Sequence, residues 1–291
     1  MVALIRTLRP QQWVKNVFVA APLVFSRNLE HTSYLWREAI AVLAFCLLSG
    51  AVYCFNDVRD VEADKLHPTK KHRPIAAGEL SKRAALTATG VLAVIALGAC
   101  LALRWQLAMW AALYFAQNIA YSVKLKHVAF IDVLLIASGF LLRVLGGAAA
   151  IDVPASVWVL ACTGLVAVFF ALGKRAHVLA WAERSGKETT ATRAALAGYR
   201  LSHVKAAMLV IGALTAGAYV AYTLDARTVE MFHTNRLVYS APFVVLGIVR
   251  FFYLALWRPK TESPTEAMLR DPLFLLDLAA ATATVLYIIY A

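Results

Sequence analysis

WREAIAVLAFCLLSGAVYCFNDVRDVEAD, residues 36–64, decides the fold. Residues 36–56 form an apolar run of membrane-crossing length, for which a helix needs roughly 17–25 residues. The run passes without a linker into three carboxylates, Asp57, Asp60 and Asp64, spaced three and then four apart. On one continuous helix those steps return to the same face, so the three acids form a stripe, with Asn56 at its border and Glu62 pointing elsewhere. A dense cationic group follows, Lys70, Lys71 and Arg73.

The rest of the chain has the same character. Of 291 residues 61% are hydrophobic and only 16% charged, and the mean hydropathy is +0.67. Such a composition belongs to a polytopic membrane protein. Further spans are predicted at 84–103, 106–123, 130–149, 155–173, 205–223, 237–256 and 273–290, with a shorter, marginal first one at 12–27. That makes about nine helices, all-α because period-2 alternation is absent and only helices or closed barrels satisfy the backbone in lipid. The N-terminus has no apolar core with a small-residue cleavage site, so no removable signal peptide is expected. Cys46, Cys54, Cys100 and Cys162 lie in apolar runs without metal-ligand spacing and read as small buried hydrophobes.

A net charge of +12 would suit nucleic acid, but its distribution follows the membrane instead. One set of connections carries most of the Lys and Arg, while the opposite set holds only Arg27, Arg37, Arg104, Arg227 and Arg236. By the positive-inside rule the N-terminus and the longer charged loops are cytoplasmic, in a multi-pass protein of the inner (plasma) membrane. The segment 174–204 reads as an amphipathic helix, a Ser-Gly break and a second helical piece. The loops after the second and sixth spans both mix acids and bases, which hints at two related halves.

Three acids at the mouth of a helix bundle repel one another unless a cation sits among them. Hard oxygen ligands suit Mg²⁺, which keeps waters and shares its remaining positions with phosphate oxygens. Lys70, Lys71 and Arg73 are what a polyphosphate needs on its other side. Arg143, inside the span 130–149, is costly in a membrane and marks a functional or paired charge, its expected partner being either Asp132, on the same helical face, or substrate. The small residues of GGAAA, 146–150, permit close helix packing.

NDVRDVEAD at 56–64 resembles the first Asp-rich motif, NDxxDxxxD, of the UbiA superfamily of intramembrane prenyltransferases, and the likeness extends along nearly the whole chain. LRPQQWVKN near the start, NDVRDVEADKLHPTKKHRPIAAG, YSVKLKH at 121–127, GKR at 173–175 and LRD at 269–271 are similar to one branch, which moves phosphoribosyl groups onto polyprenyl phosphate. The resemblance implies one transmembrane domain over 1–291, with helices around a central cavity capped by cytoplasmic loops. It also implies Mg²⁺-dependent transfer of 5-phosphoribosyl from phosphoribosyl pyrophosphate to a polyprenyl (decaprenyl) phosphate, feeding lipid-linked arabinose for cell-wall polysaccharide.

On that resemblance Asn56, Asp57, Asp60 and Asp64 hold the metal and pyrophosphate, and Lys70, Lys71 and Arg73 hold phosphate oxygens. Lys15, Asn16, Lys124, Lys126, Asp132, Arg143, Lys174 and Arg175 are the further substrate-binding candidates. A second Asp-rich motif, expected of a prenyl-diphosphate user, is replaced in YSVKLKHVAFIDV by Lys124, Lys126 and the single acid Asp132. The competing readings are prenyl transfer from a prenyl diphosphate and transport of an anionic lipid or metabolite. The oligomeric state stays open, a homo-oligomer included.

Overall fold

The computed structural model describes residues 2–67, 69–123, 130–185, 199–257 and 264–290. Among these there is no strand, and seven helices are long and apolar enough to cross a membrane. The protein is a multi-pass membrane protein. Its contacts divide into two compact units: residues 1–126 with 138–156, and residues 127–137 with 157–291.

The first unit is built on α3, Thr32–Arg59, which packs against α5, Lys82–Leu103, and α6, Trp105–Val123. Ser81 starts α5 by accepting a hydrogen bond from the Ala84 N–H at 3.1 Å, relieving one of the orphan donors of the first turn. Phe45, Leu48, Leu107 and Ile151 are fully buried in its core. The later part of α7, Ile131–Ile151, belongs here, and the glycine pair at 146–147 sets its approach. A Cβ built on Gly147 would stand 1.9 Å from the Val19 carbonyl oxygen, and one on Gly146 2.6 Å from the Phe45 ring. Contact this close is how helices associate in lipid, where dispersion replaces the hydrophobic drive.

The marginal first span does not form one helix. The chain makes α1, Val2–Leu8, then a 3-10 stretch, Pro10–Phe18, then α2, Ala21–Phe25. Arg9 ahead of Pro10 takes a left-handed φ of 52°, and Gln11, Gln12, Lys15 and Asn16 break the apolar pattern. α6 stands where a span was expected but is less apolar than the seven.

The second unit centres on α8, Val157–Ser185, packed against α9, Leu201–Leu224, and α11, Ala241–Trp257. Between the last two lies α10, Ala226–Phe232, and beyond them α12, Pro264–Leu269, and α13, Pro272–Tyr290. Phe169, Phe251 and Met208 are buried at its centre. The sequence reading ends the sixth span at 173, yet α8 runs on to Ser185. Lys174 and Arg175 therefore continue the helix of the sixth span instead of opening a separate amphipathic one.

Candidate active site

α3 ends at Arg59 and α4, Val61–Leu66, begins directly after Asp60, whose φ of −93° and ψ of 4° interrupt the helix. The expected unbroken helix through 64 is therefore corrected to two helices. Backbone bonding nevertheless carries through the junction. The Asp60 N–H donates to the Asn56 carbonyl at 2.9 Å, and the Asp64 N–H to the Asp60 carbonyl at 2.8 Å. Asp57 and Asp64 both end up inside, each 2% exposed, and Asp60 is half-buried. Glu62 points to solvent, where Lys65 and Lys82, each at 3.2 Å, hold its carboxyl below the usual range.

Two buried carboxylates need counter-charge, and two guanidiniums supply it. Arg73 Nη1 donates to Asp64 Oδ2 at 2.6 Å and to Asp57 Oδ1 at 3.1 Å. Arg9 Nη2 donates to the same Asp57 Oδ1 at 2.5 Å, and its guanidinium lies 4.9 Å above the Tyr53 ring. Arg6 anchors α1 to the following loop through Glu79 at 2.7 Å and the His72 carbonyl at 3.3 Å. Lys70 and Lys71 are exposed beside this cluster. Loss of hydration, and then the Arg73 charge, draw the Lys70 ammonium below the ordinary lysine range.

Two buried oxygens here have no hydrogen-bond partner: Asn56 Oδ1 and Asp57 Oδ2. Buried acceptors are almost always satisfied, and each one left over costs about 1–3 kcal/mol. Hard oxygens of this kind fit a Mg²⁺ ion, which binds through one or two protein ligands plus waters and phosphates. Among the described residues no three acid, imidazole or thiol side chains converge as a preformed cage.

The other expected site residues are scattered. Lys15 is half-buried in the 3-10 stretch. Asn16 is fully buried, where it accepts from Arg143 Nε at 2.7 Å and from Ser49 Oγ at 3.3 Å. Arg143 also donates to the Tyr114 hydroxyl at 2.8 Å and the Gly139 carbonyl at 2.9 Å. The expected Arg143–Asp132 pair is corrected. A shared face does not bring them together, because eleven residues of helix separate them by about 16 Å along the axis.

Asp132 belongs to the second unit, where it pairs with Arg175 and accepts from the Tyr199 hydroxyl at 2.9 Å. Lys174 is exposed on α8. Lys124 and Lys126 lie outside the described residues. Sequence reasoning missed Arg9 and Tyr199. Arg9 stands within the LRPQQWVKN block but reads there as a topological charge, and Tyr199 gives no signal at all.

Comparison with known proteins gives the family and the fold. The model of the UbiA prenyltransferase family matches residues 17–278. The decaprenyl-phosphate phosphoribosyltransferase of Mycolicibacterium smegmatis is 39% identical over 206 residues, which is 69% of this chain and 64% of that protein. The protein of the same name from Mycobacterium tuberculosis (strain ATCC 25618 / H37Rv) is 38% identical over 205 residues, 69% of this chain and 67% of its own length. The matched region thus spans about two thirds of these relatives. The solved structure of a UbiA homolog from Archaeoglobus fulgidus, bound to GPP and Mg²⁺, superposes with a TM-score of 0.72. At 16% identity, covering 99% of this chain and 100% of that one, it shares the fold.

Proposed function

The chain belongs to the UbiA prenyltransferase family, and from that premise we propose that it transfers 5-phosphoribosyl from phosphoribosyl pyrophosphate to a polyprenyl phosphate such as decaprenyl phosphate. The observation that carries this reading is the buried Asp57–Arg73–Asp64 cluster, with Arg9 on Asp57 and two unspent oxygens beside it. The relatives' names supply the substrates; the cluster supplies a place for a diphosphate and its metal. On this reading the site faces the cytoplasm with the N-terminus inside, which the one-sided Lys and Arg support.

In the reaction the bond from ribose C1 to the pyrophosphate oxygen breaks, its electron pair leaving with pyrophosphate. A phosphate oxygen of the lipid bonds to C1 in its place. Positive charge grows on the sugar and negative charge on the leaving group. Mg²⁺ held by Asp57 and Asn56, with Asp60 and Asp64 alongside, would supply Lewis-acid stabilisation of that leaving group.

The chain's own cations do the rest. Both carboxylate bonds of Arg73 run from Nη1, so Nε and Nη2 keep donors for phosphate oxygens. Lys70 and Lys71 present ammonium groups to the same anion. No general base is needed, since the attacking oxygen is already anionic. Of the remaining described cations, Lys15 in the first unit and, separately, Lys174 and Arg175 in the second are each candidates for the lipid phosphate or the ribose 5-phosphate.

Membranes containing the protein, given radiolabelled phosphoribosyl pyrophosphate and decaprenyl phosphate, should form a labelled lipid and release pyrophosphate. Efficient ribosylation of unphosphorylated polyprenol would overturn the proposal. So would prenylation of an aromatic acid without use of phosphoribosyl pyrophosphate.

A further inference from the structure

The second unit contains a buried polar cluster that the reaction as described does not account for. Asp132, in the first turn of α7, is 2% exposed, and Arg175 of α8 is 8% exposed. Tyr199, just ahead of α9, is buried beside them. Arg175 Nη2 forms an ion pair with Asp132 Oδ2. An aspartate facing a guanidinium with both oxygens free takes Nη2 and Nε together, in two parallel bonds. Here that fork is not made: Nε has no bond to the carboxylate, and the second oxygen, Asp132 Oδ1, is held on the Tyr199 side, where it accepts from the hydroxyl at 2.9 Å.

Tyr199 is itself fixed. Its oxygen accepts the Phe130 N–H at 2.7 Å, its ring lies 5.0 Å from the Phe130 ring, and Phe130 holds a left-handed φ of 67°. Burial pushes the hydroxyl up to about 12, so it stays a protonated donor at any working pH. The consequence falls on Arg175. Its charge is neutralised by Asp132, yet its Nε–H is buried and has no hydrogen-bond partner. A guanidinium donor left over in such a place calls for an acceptor.

We propose that Asp132 and Tyr199 are positioning residues that hold Arg175 in a single-pronged ion pair, reserving its Nε–H for a phosphate oxygen of one substrate. The inference rests on the phosphoribosyl-transfer reading for the identity of that substrate. The phosphate belongs either to the polyprenyl acceptor or to the sugar donor, and the two share the chemistry that Nε–H recognises. Asp132 is thereby not a metal ligand or a substrate contact but the partner that fixes the cation. Tyr199 decides how much of that cation is left over.

The test uses the full chain in nanodiscs. Tyr199→Phe keeps the ring contact with Phe130 but frees Asp132 Oδ1, which can then close on both Nη2 and Nε. Arg175→Lys keeps the charge and removes Nε. Both variants should raise KM for the same phosphorylated substrate, by roughly 10- to 100-fold for one charge-assisted hydrogen bond, with kcat little changed. Whether decaprenyl phosphate or phosphoribosyl pyrophosphate is the affected substrate identifies the phosphate.

Adding Asp132→Asn to Tyr199→Phe should bring KM back toward wild type, because an amide has one acceptor oxygen and cannot form the two parallel bonds of the fork. A merely structural role would lower Tm and kcat together and would show no such recovery. In parallel, the rise in Tm on adding decaprenyl phosphate, phosphoribosyl pyrophosphate or inorganic pyrophosphate is measured without turnover. Tyr199→Phe should lose that rise for one ligand. If it keeps every ligand-induced rise, or if no ligand raises Tm of the wild type, the inference is wrong. Absence of wild-type turnover with phosphoribosyl pyrophosphate, with a phosphate-induced Tm rise intact and Tyr199-dependent, would instead sink only the functional reading.

Discussion

Arg9 and Asp57, forty-eight residues apart, meet at 2.5 Å, with the guanidinium also laid over the Tyr53 ring. The contact ties the residue before the 3-10 stretch to the last turns of α3, and it covers a carboxylate that is almost fully buried. Arg9→Ala leaves Asp57 with Arg73 as its only remaining cation among the described contacts. The expected loss is about 1.5–3 kcal/mol of stability for one charge-assisted bond, read by denaturation in nanodiscs, with a higher KM for phosphoribosyl pyrophosphate. Arg9→Lys should restore only part of it, because a compact ammonium does not stack on Tyr53 as a planar guanidinium does.

Metal dependence should follow the unspent oxygens. Chelation by EDTA should abolish turnover, and excess Mg²⁺ should restore it. Asp57→Asn and Asn56→Ala should each raise the Mg²⁺ concentration needed for half-maximal activity at least tenfold, roughly the effect of one lost ligand interaction. Glu62→Gln, on an exposed carboxylate engaged only by Lys65 and Lys82, should leave that midpoint within twofold. An equal effect at Glu62 would mean that the metal does not sit on the buried side.

Lys70 should set an alkaline limit. Its ammonium titrates below the ordinary lysine range because desolvation and Arg73 disfavour the charge. The folded state therefore binds fewer protons than the unfolded one between the two pKa values, and stability rises with pH through that window. On the proposed reading, in which Lys70 holds a phosphate of the donor, donor capture should run the other way, since it needs the charged form. On a plot of log kcat/KM for the donor, the alkaline fall should begin below the pH expected of a free lysine, near 10.4. Lys70→Arg should move that fall upward; an unmoved limb would remove Lys70 from donor binding.

Asn16 and Arg143 should separate folding from catalysis. Asn16→Ala strands Arg143 Nε in a buried site, and Arg143→Leu leaves Asn16 Oδ1 with the Ser49 hydroxyl alone and takes the guanidinium donor from the Tyr114 hydroxyl. Each should cost about 1–3 kcal/mol per stranded group and lower Tm, while KM for the donor in the surviving folded fraction stays near wild type. A selective rise in donor KM, with Tm unchanged, would return Asn16 to the substrate site.

Much of this molecule is legible in its sequence. Membrane spans announce themselves by length and hydropathy, and the acidic stretch at 56–64 by its place at the end of α3. The failures share a physical cause. Hydropathy measures how apolar 12–27 is but not whether its backbone stays helical, so the interruption around Arg9 and Pro10 is invisible. Periodicity gives the angle around a helix but not the distance along it, which is why Arg143 and Asp132 seemed to face one another. Arg9 finds Asp57 and Tyr199 finds Asp132 across 48 and 67 residues, and pairings of that range are made by packing.

The backbone contact at Gly147 also bears on how this chain can drift. A methyl group there would collide with the Val19 carbonyl oxygen at 1.9 Å, and that oxygen belongs to backbone that cannot swing aside as a side chain would. Position 147 is therefore closed to every substitution, alanine included, whereas Gly90, Gly98 and Gly217 open onto empty space and would take alanine freely. In a saturation library selected for folded protein, the column at 147 should hold glycine alone, and the other three columns should be mixed. Val19 is the partner of that constraint: the path of its backbone is inherited unchanged for as long as the helix beside it keeps its glycine.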